Sequence, residues 1–167
     1  MNKKKLVAVF FLLIIVVVSF ISLRVLNNMK RKIEVNETIL KAVENTNWPV
    51  NDVPLISKGN LVVSNLGEYN CEAKITSGVS YDEVRKYLIK LYDIGFEPYE
   101  DLGSMNPNRL IPASSAESIK ELSWIGQKDN YTINVLWAKE GATDDFGLEY
   151  TFNLEINLFI NVESSFY

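Results

Sequence analysis

The rhythm of apolar and polar positions changes twice along this chain. Residues 6–23 read LVAVFFLLIIVVVSFISL, an unbroken apolar run whose only polar members are Ser19 and Ser22. A helix needs roughly 17–25 residues to cross the hydrocarbon core of a bilayer. The run therefore predicts a transmembrane signal-anchor helix over residues 6–26, extended by Val25 and Leu26, after a cytoplasmic tail of residues 1–5. A helix on the surface of a soluble domain keeps a polar face, and this one has none. A cleaved signal peptide is the rival reading. Met1-Asn2-Lys3-Lys4-Lys5 makes a basic leader, but the apolar run is long for one, and Val17-Val18-Ser19 is a poor cleavage site.

The rhythm then becomes helical. Residues 27–47 contain neither Gly nor Pro, and Leu26, Met29, Ile33, Leu40 and Val43 recur at heptad spacing, with Asn36 in the remaining seam position. This predicts a helical stalk. Its stripe either pairs with a second copy, Asn36 fixing the register of a homodimer, or packs on its own domain or on the membrane surface. Trp48-Pro49 ends the stalk, and residues 48–60, with Pro49, Pro54 and Gly59, read as a linker.

From residue 61 to 167 the pattern is that of an α+β domain. Residues 61–66 and 69–77 flank Gly67-Glu68 as a hairpin, with Tyr69, Cys71, Ala73 and Ile75 on one face. Ser80 and Glu83 make a capping box opening a helix over 80–94, whose apolar face is Val84, Tyr87, Leu88, Leu91 and Tyr92. Gly95 supplies its stop and Phe96 returns the chain to the core. Residues 97–121 read as a long loop, with a short helix from Ser114 to about Lys120. Residues 122–128 and 131–137 form strands around a tight turn at Asp129-Asn130. A last strand runs from Leu148 to Ile160, alternating over seven period-2 repeats. The expected order is β-β-α-β-β-β: an antiparallel sheet of about five strands with one main helix on one face.

Charge sharpens this division. Residues 1–32 carry Lys3, Lys4, Lys5, Arg24, Lys30, Arg31 and Lys32 with no acid, whereas residues 48–167 hold nine Lys and Arg against eighteen Asp and Glu. Basic flanks suit anionic headgroups. The acidic remainder repels phosphate, so nucleic acid is excluded as a partner. The positive charges on the two sides of the run nearly balance, and the short tail places the domain outside the cytoplasm.

Candidate chemistry is sparse. The chain has no histidine, the usual general base and metal ligand near neutral pH, and no metal or cofactor is expected. Cys71, the single cysteine, allows no internal disulfide and falls on an apolar strand face, where a thiol behaves as a small hydrophobe. None of the phosphate-cradling, zinc-binding or nucleophile-elbow motifs occurs. Glu97, Glu100 and Asp101 cluster after the helix and invite comparison with sugar hydrolysis by paired carboxylates. Asp144-Asp145 lacks the ligand spacing of a calcium loop. Trp124 and Trp137 lie on expected strands as core residues. Asn36-Glu37-Thr38 and Asn130-Tyr131-Thr132 match the glycosylation sequon, of consequence only in a eukaryotic secretory pathway.

Trp48-Pro49, Pro54, Gly59-x-Leu61, the run Val79-Ser80-Tyr81-Asp82-Glu83-Val84, then Tyr87, Leu91 and Gly95-Phe96 make a pattern over about a third of the chain. It resembles small uncharacterised domains of membrane-anchored and lipoprotein-type surface proteins of Gram-positive bacteria. This chain departs from them in having an apolar helix where they carry a lipidated cysteine. The resemblance implies an extracytoplasmic bacterial domain and transfers no functional residue. The expectation is a single-pass, membrane-tethered, non-catalytic binding or interaction module. A pilin-like assembly subunit is the alternative, although no Glu lies within residues 6–23 and no processing site precedes them. A hydrolase using loop carboxylates is the other.

Overall fold

The computed structural model describes residues 16–26, 29–30, 37–110 and 118–161. The chain divides into two compact units, Met1–Thr38 and Ile39–Tyr167.

In the first unit, residues 16–26 and 29–30 are helical. Every residue from 16 to 26 is exposed, and the large apolar side chains range from 48% exposed at Val25 to 63% at Phe20. The Arg24 guanidinium lies 5.7 Å from the Phe20 ring centroid. Among the described residues no helix is long and apolar enough to cross a membrane. The first ten residues of the expected anchor, 6–15, and Ile33 and Asn36 of the expected seam lie outside the described residues.

The second unit is an α+β domain. Among the described residues its sheet has six strands: β1 (Val62–Asn65), β2 (Asn70–Ile75), β3 (Glu97–Pro98), β4 (Glu121–Lys128), β5 (Tyr131–Ala138) and β6 (Leu154–Ile160). Their spatial order is β1-β2-β6-β5-β4-β3 and every pair is antiparallel. The last strand in sequence thus sits at the centre between β2 and β5. Cys71, Ala73 and Ile75 pair across it with Leu158, Ile156 and Leu154, which in turn face Ile133, Val135 and Trp137. These nine side chains are all buried. They form one face of the core, and the buried Tyr81, Val84, Tyr87, Leu88 and Leu91 of the long helix Tyr81–Asp93 form the other.

The helix begins as its capping box predicts. Ser80 Oγ accepts from Glu83 N, and the Glu83 carboxylate accepts from Ser80 N. Val79 and Val84, the staple pair, are both buried. At the other end Gly95 takes φ +103°, a conformation that costs other residues more, and Phe96 N reaches back to Leu91 O at 3.0 Å. Between β4 and β5 the turn is the expected two-residue one, with Asp129 at φ 50° and Lys128 paired with Tyr131.

Three expectations need correction. The sheet has six strands, because Glu97–Pro98 adds a two-residue edge to β4, and Tyr99 N extends that contact to Ile125 O at 2.9 Å. The final strand begins at Leu154 rather than Leu148. The Asn153 side chain is drawn to Val79 N and Ala138 O, and Leu148 is 67% exposed. Residues 48–60 are no bare linker: Trp48, Val53 and Leu55 are buried in the domain core. The Trp48 indole donates to Val53 O at 2.9 Å, and the Tyr87 hydroxyl to Pro54 O at 2.9 Å. Of the two readings left open for the stalk stripe, its end packs on its own domain: residues 37–43 are helical, and Val43 is buried in the same core with Ile39 packed beside it. Of the heptad seam, Leu26, Met29 and Leu40 remain exposed and Val43 is spent on its own domain. Most of the expected short helix from Ser114 lies outside the described residues.

Candidate functional site

The structure separates the sequence candidates by burial. Cys71 is 1% exposed, with Sγ 3.5 Å from Asn65 Oδ1. Burial pushes its thiol up, against a smaller opposing effect of the Asn47 backbone N–H, so it stays protonated and unreactive. Trp124 and Trp137 are core residues, as expected, and each indole N–H is satisfied: Trp124 donates to Met105 O at 3.1 Å and Trp137 to Val79 O at 2.8 Å.

Glu97, Glu100 and Asp101 do come together. With Arg109, Tyr92 and Tyr99 they line a cavity of ≈ 500 Å³. All three carboxylates are exposed and none forms an ion pair among the described residues. Asp144 and Asp145 play a different part. Asp144 Oδ1 accepts from Phe146 N and Leu148 N, both at 2.9 Å, and so holds a tight turn. That turn leaves Phe146 89% exposed. It also brings Asp144 and Asp145 near Tyr150, whose hydroxyl donates to Glu121 at 2.6 Å; this bond, burial and the surrounding acids push the phenol up to about 12. Among the described residues no group of three potential ligands could hold a metal.

A second cavity, ≈ 420 Å³, opens where the long helix starts. Its floor is Trp137 and Tyr81, packed edge to face with ring centroids 5.7 Å apart. Val79 and Ile119 complete the apolar wall, and Gly78, Lys139 and Glu140 form the rim. Burial pushes the Tyr81 phenol up, with Arg85 opposing, so it stays neutral.

The walls are fixed by Asn153, which is 2% exposed. Its Oδ1 accepts from Val79 N at 2.6 Å and its Nδ2 donates to Ala138 O at 2.7 Å. Its backbone completes the clamp: Asn153 N donates to Ile75 O at 2.9 Å and Ala138 N donates to Asn153 O at 3.1 Å. One residue thereby ties the ends of β2 and β5, the start of β6 and the entry to the helix. At the rim Gly78 N donates to Glu140 Oε1 at 2.6 Å, an exposed contact. Lys139 beside it makes no ion pair among the described residues.

Concave, mostly apolar sites with a few convergent polar groups are the usual form of small-molecule pockets, at roughly 300–1,000 Å³. The cavity over Trp137 fits that form better than the acid-lined one. Sequence reasoning missed Asn153, Lys139 and Glu140. The alternation placed Asn153 on the wet face of the last strand, and nothing in its neighbours marks it as the point where the pleat breaks. Comparison with protein-family models, with curated proteins and with solved structures finds no match.

Proposed function

We propose that this chain is a membrane-tethered, non-catalytic binding module, anchored through residues 6–26 and presenting its α+β domain outside the cytoplasm. One observation carries the tether: the helical residues 16–26 bury no side. At 100° per residue they cover the full circumference of a helix, and eight large apolar side chains, Val16 to Leu26, stand about half exposed. Burying them would stabilise the chain by on the order of 10 kcal/mol, and a bilayer is the solvent that accepts an all-round apolar helix. Arg24 and Lys30 follow the run, where they reach the interface.

The non-catalytic reading is supported by residue inventory. Histidine is absent, the lone thiol is buried and held protonated, and the clustered carboxylates are exposed and unpaired. A preformed apolar cavity beside a rigid polar clamp suits capture of a ligand. The resemblance of residues 48–96 to domains of Gram-positive surface proteins supports the extracytoplasmic placement.

Flotation of the full chain with lipid vesicles, compared with a chain lacking residues 6–26, tests the tether. The full chain floats and resists alkaline carbonate, and the deletion stays in the aqueous fraction. Full-length chain that remains monomeric in water with its N-terminus intact overturns the proposal. Reporter fusions at residues 5 and 167 read the orientation.

A further inference from the structure

The cavity over Trp137 carries more than a generic binding role. Three successive backbone N–H groups lead into the helix, and their partners differ in kind. Val79 N is taken by the buried Asn153 Oδ1 and Ser80 N by the capping-box carboxylate of Glu83. Both are fixed by other bonds. Gly78 N is taken by Glu140, an exposed side chain at the start of the excursion leading to Asp144. A carboxylate therefore already sits at the mouth of an apolar cavity, held by one backbone bond, with the ammonium-bearing Lys139 next to it on the same rim.

From this arrangement we propose that the cavity binds a compact apolar carboxylate, a single aromatic ring or short acyl chain bearing one carboxyl group, and that Glu140 is its built-in stand-in. The apolar body lies against Trp137, Tyr81, Val79 and Ile119. The ligand carboxylate replaces Glu140 on Gly78 N–H and takes the charge of Lys139. The exchange breaks one charge-assisted hydrogen bond and forms one of the same kind, so its net cost is small and burial of the apolar body supplies the affinity. The stand-in competes with the ligand and repels it. The inference rests on the binding-module reading, but flotation tests the tether alone and the titration below tests the cavity alone, so their failures are distinct.

The test is a titration of the full chain in neutral detergent micelles with 3-phenylpropionate, followed by the Gly78 amide and Trp137 indole N–H resonances. These two signals report the rim and the floor, and partitioning of the probe into micelles moves neither. The proposal expects both to shift and saturate together below about 10 mM. The amide analogue of the probe binds about tenfold more weakly, because it lacks the charge that Lys139 meets. Glu140→Ala tightens binding about three- to tenfold by removing a competitor worth one hydrogen bond. Lys139→Gln weakens it by a similar factor. Should Glu140→Ala disturb the fold, Glu140→Gln keeps an acceptor for Gly78 and loses only the charge, and it also tightens binding. Absence of saturable shifts, equal binding of the amide or of a cationic analogue, or unchanged affinity in both Glu140 variants overturns the proposal.

Discussion

Replacing Asn153 with Ala isolates the side-chain clamp between the helix entry and the end of β5. The side chain is 2% exposed and makes two hydrogen bonds, from Val79 N at 2.6 Å and to Ala138 O at 2.7 Å. Alanine leaves both backbone groups without a partner. Val79 is 3% exposed and Ala138 1%, so both groups lie in the interior. An orphaned buried polar group costs about 1–3 kcal/mol, which makes the expected loss roughly 2–6 kcal/mol for the pair. Domains of this size are stable by about 5–15 kcal/mol, so Asn153→Ala should fold with a visibly lower denaturation midpoint and an unchanged slope. Asn153→Asp separates the two bonds. It still accepts from Val79 N, but it cannot donate to Ala138 O and it buries a charge, so at neutral pH it should be worse than Ala and should recover as pH falls. The assay is chemical denaturation of the full chain in neutral micelles, read by tryptophan fluorescence, with amide exchange at Val79 as a local probe. A loss below about 1 kcal/mol for Asn153→Ala, or Asp more stable than Ala at neutral pH, would refute the reasoning.

Three further outcomes test other parts of the fold. A Cβ at Gly126 would collide with the Trp124 ring, 2.5 Å from Cζ3 and 3.0 Å from Cζ2, so Gly126→Ala should cost about 1–3 kcal/mol and red-shift the tryptophan emission. Gly67→Ala, with nothing within 4 Å, is the control. Cys71 should resist thiol reagents at mildly alkaline pH in the folded chain and react fully once denatured, since burial raises its thiol. For Glu83, burial pushes the carboxyl up, but Lys58 and the Ser80 N–H and hydroxyl outweigh it and hold the group below its ordinary value. A lowered folded-state pKa adds stability above the unfolded value of about 4.3, and that stability is lost as pH falls through the folded value. Both partners are more than a third exposed, so the acid-limb difference between wild type and Lys58→Met should stay below about 1 kcal/mol.

The elements legible in the sequence are those whose signals are local. Ser80 and Glu83 fix the start of the helix by chemistry within one turn, Asp129-Asn130 fixes a hairpin, and the alternation in β2, β5 and β6 needs only one wet face. What escaped depends on partners far away in sequence. Glu97–Pro98 is a strand only because Gly126 and Gln127 lie beside it. The placement of β6 between β2 and β5 brings together residues more than eighty positions apart. Leu148, Tyr150 and Phe152 continue the apolar phase of β6, yet Asn153 ends the strand through Val79 and Ala138, which no local pattern announces. The candidate site was illegible for the same reason. Gly78, Lys139, Glu140 and Asn153 are unremarkable residues at three turns and strand ends, and only the fold brings them to one cavity.

The boundary of the domain shows most clearly how a local reading misleads. Pro49, Pro54 and Gly59 break any regular element, so residues 48–60 read as linker, yet Trp48 is 5% exposed, Val53 0% and Leu55 7%. An irregular backbone does not make a segment peripheral: Val53 N bonds back to Pro49 O at 2.9 Å, and two side-chain bonds tie the segment to itself and to the helix. A chain starting at residue 61 would expose the core surface that Val43, Trp48, Val53 and Leu55 cover. At about 1.5–3 kcal/mol for each large buried side chain, the loss is on the order of 8 kcal/mol, comparable with the whole stability of such a domain. A chain starting at residue 39 keeps all four. The 39–167 chain should therefore give a cooperative unfolding transition with dispersed amide resonances, and the 61–167 chain should have neither. A cooperative 61–167 chain would mean that the segment decorates the core rather than completing it.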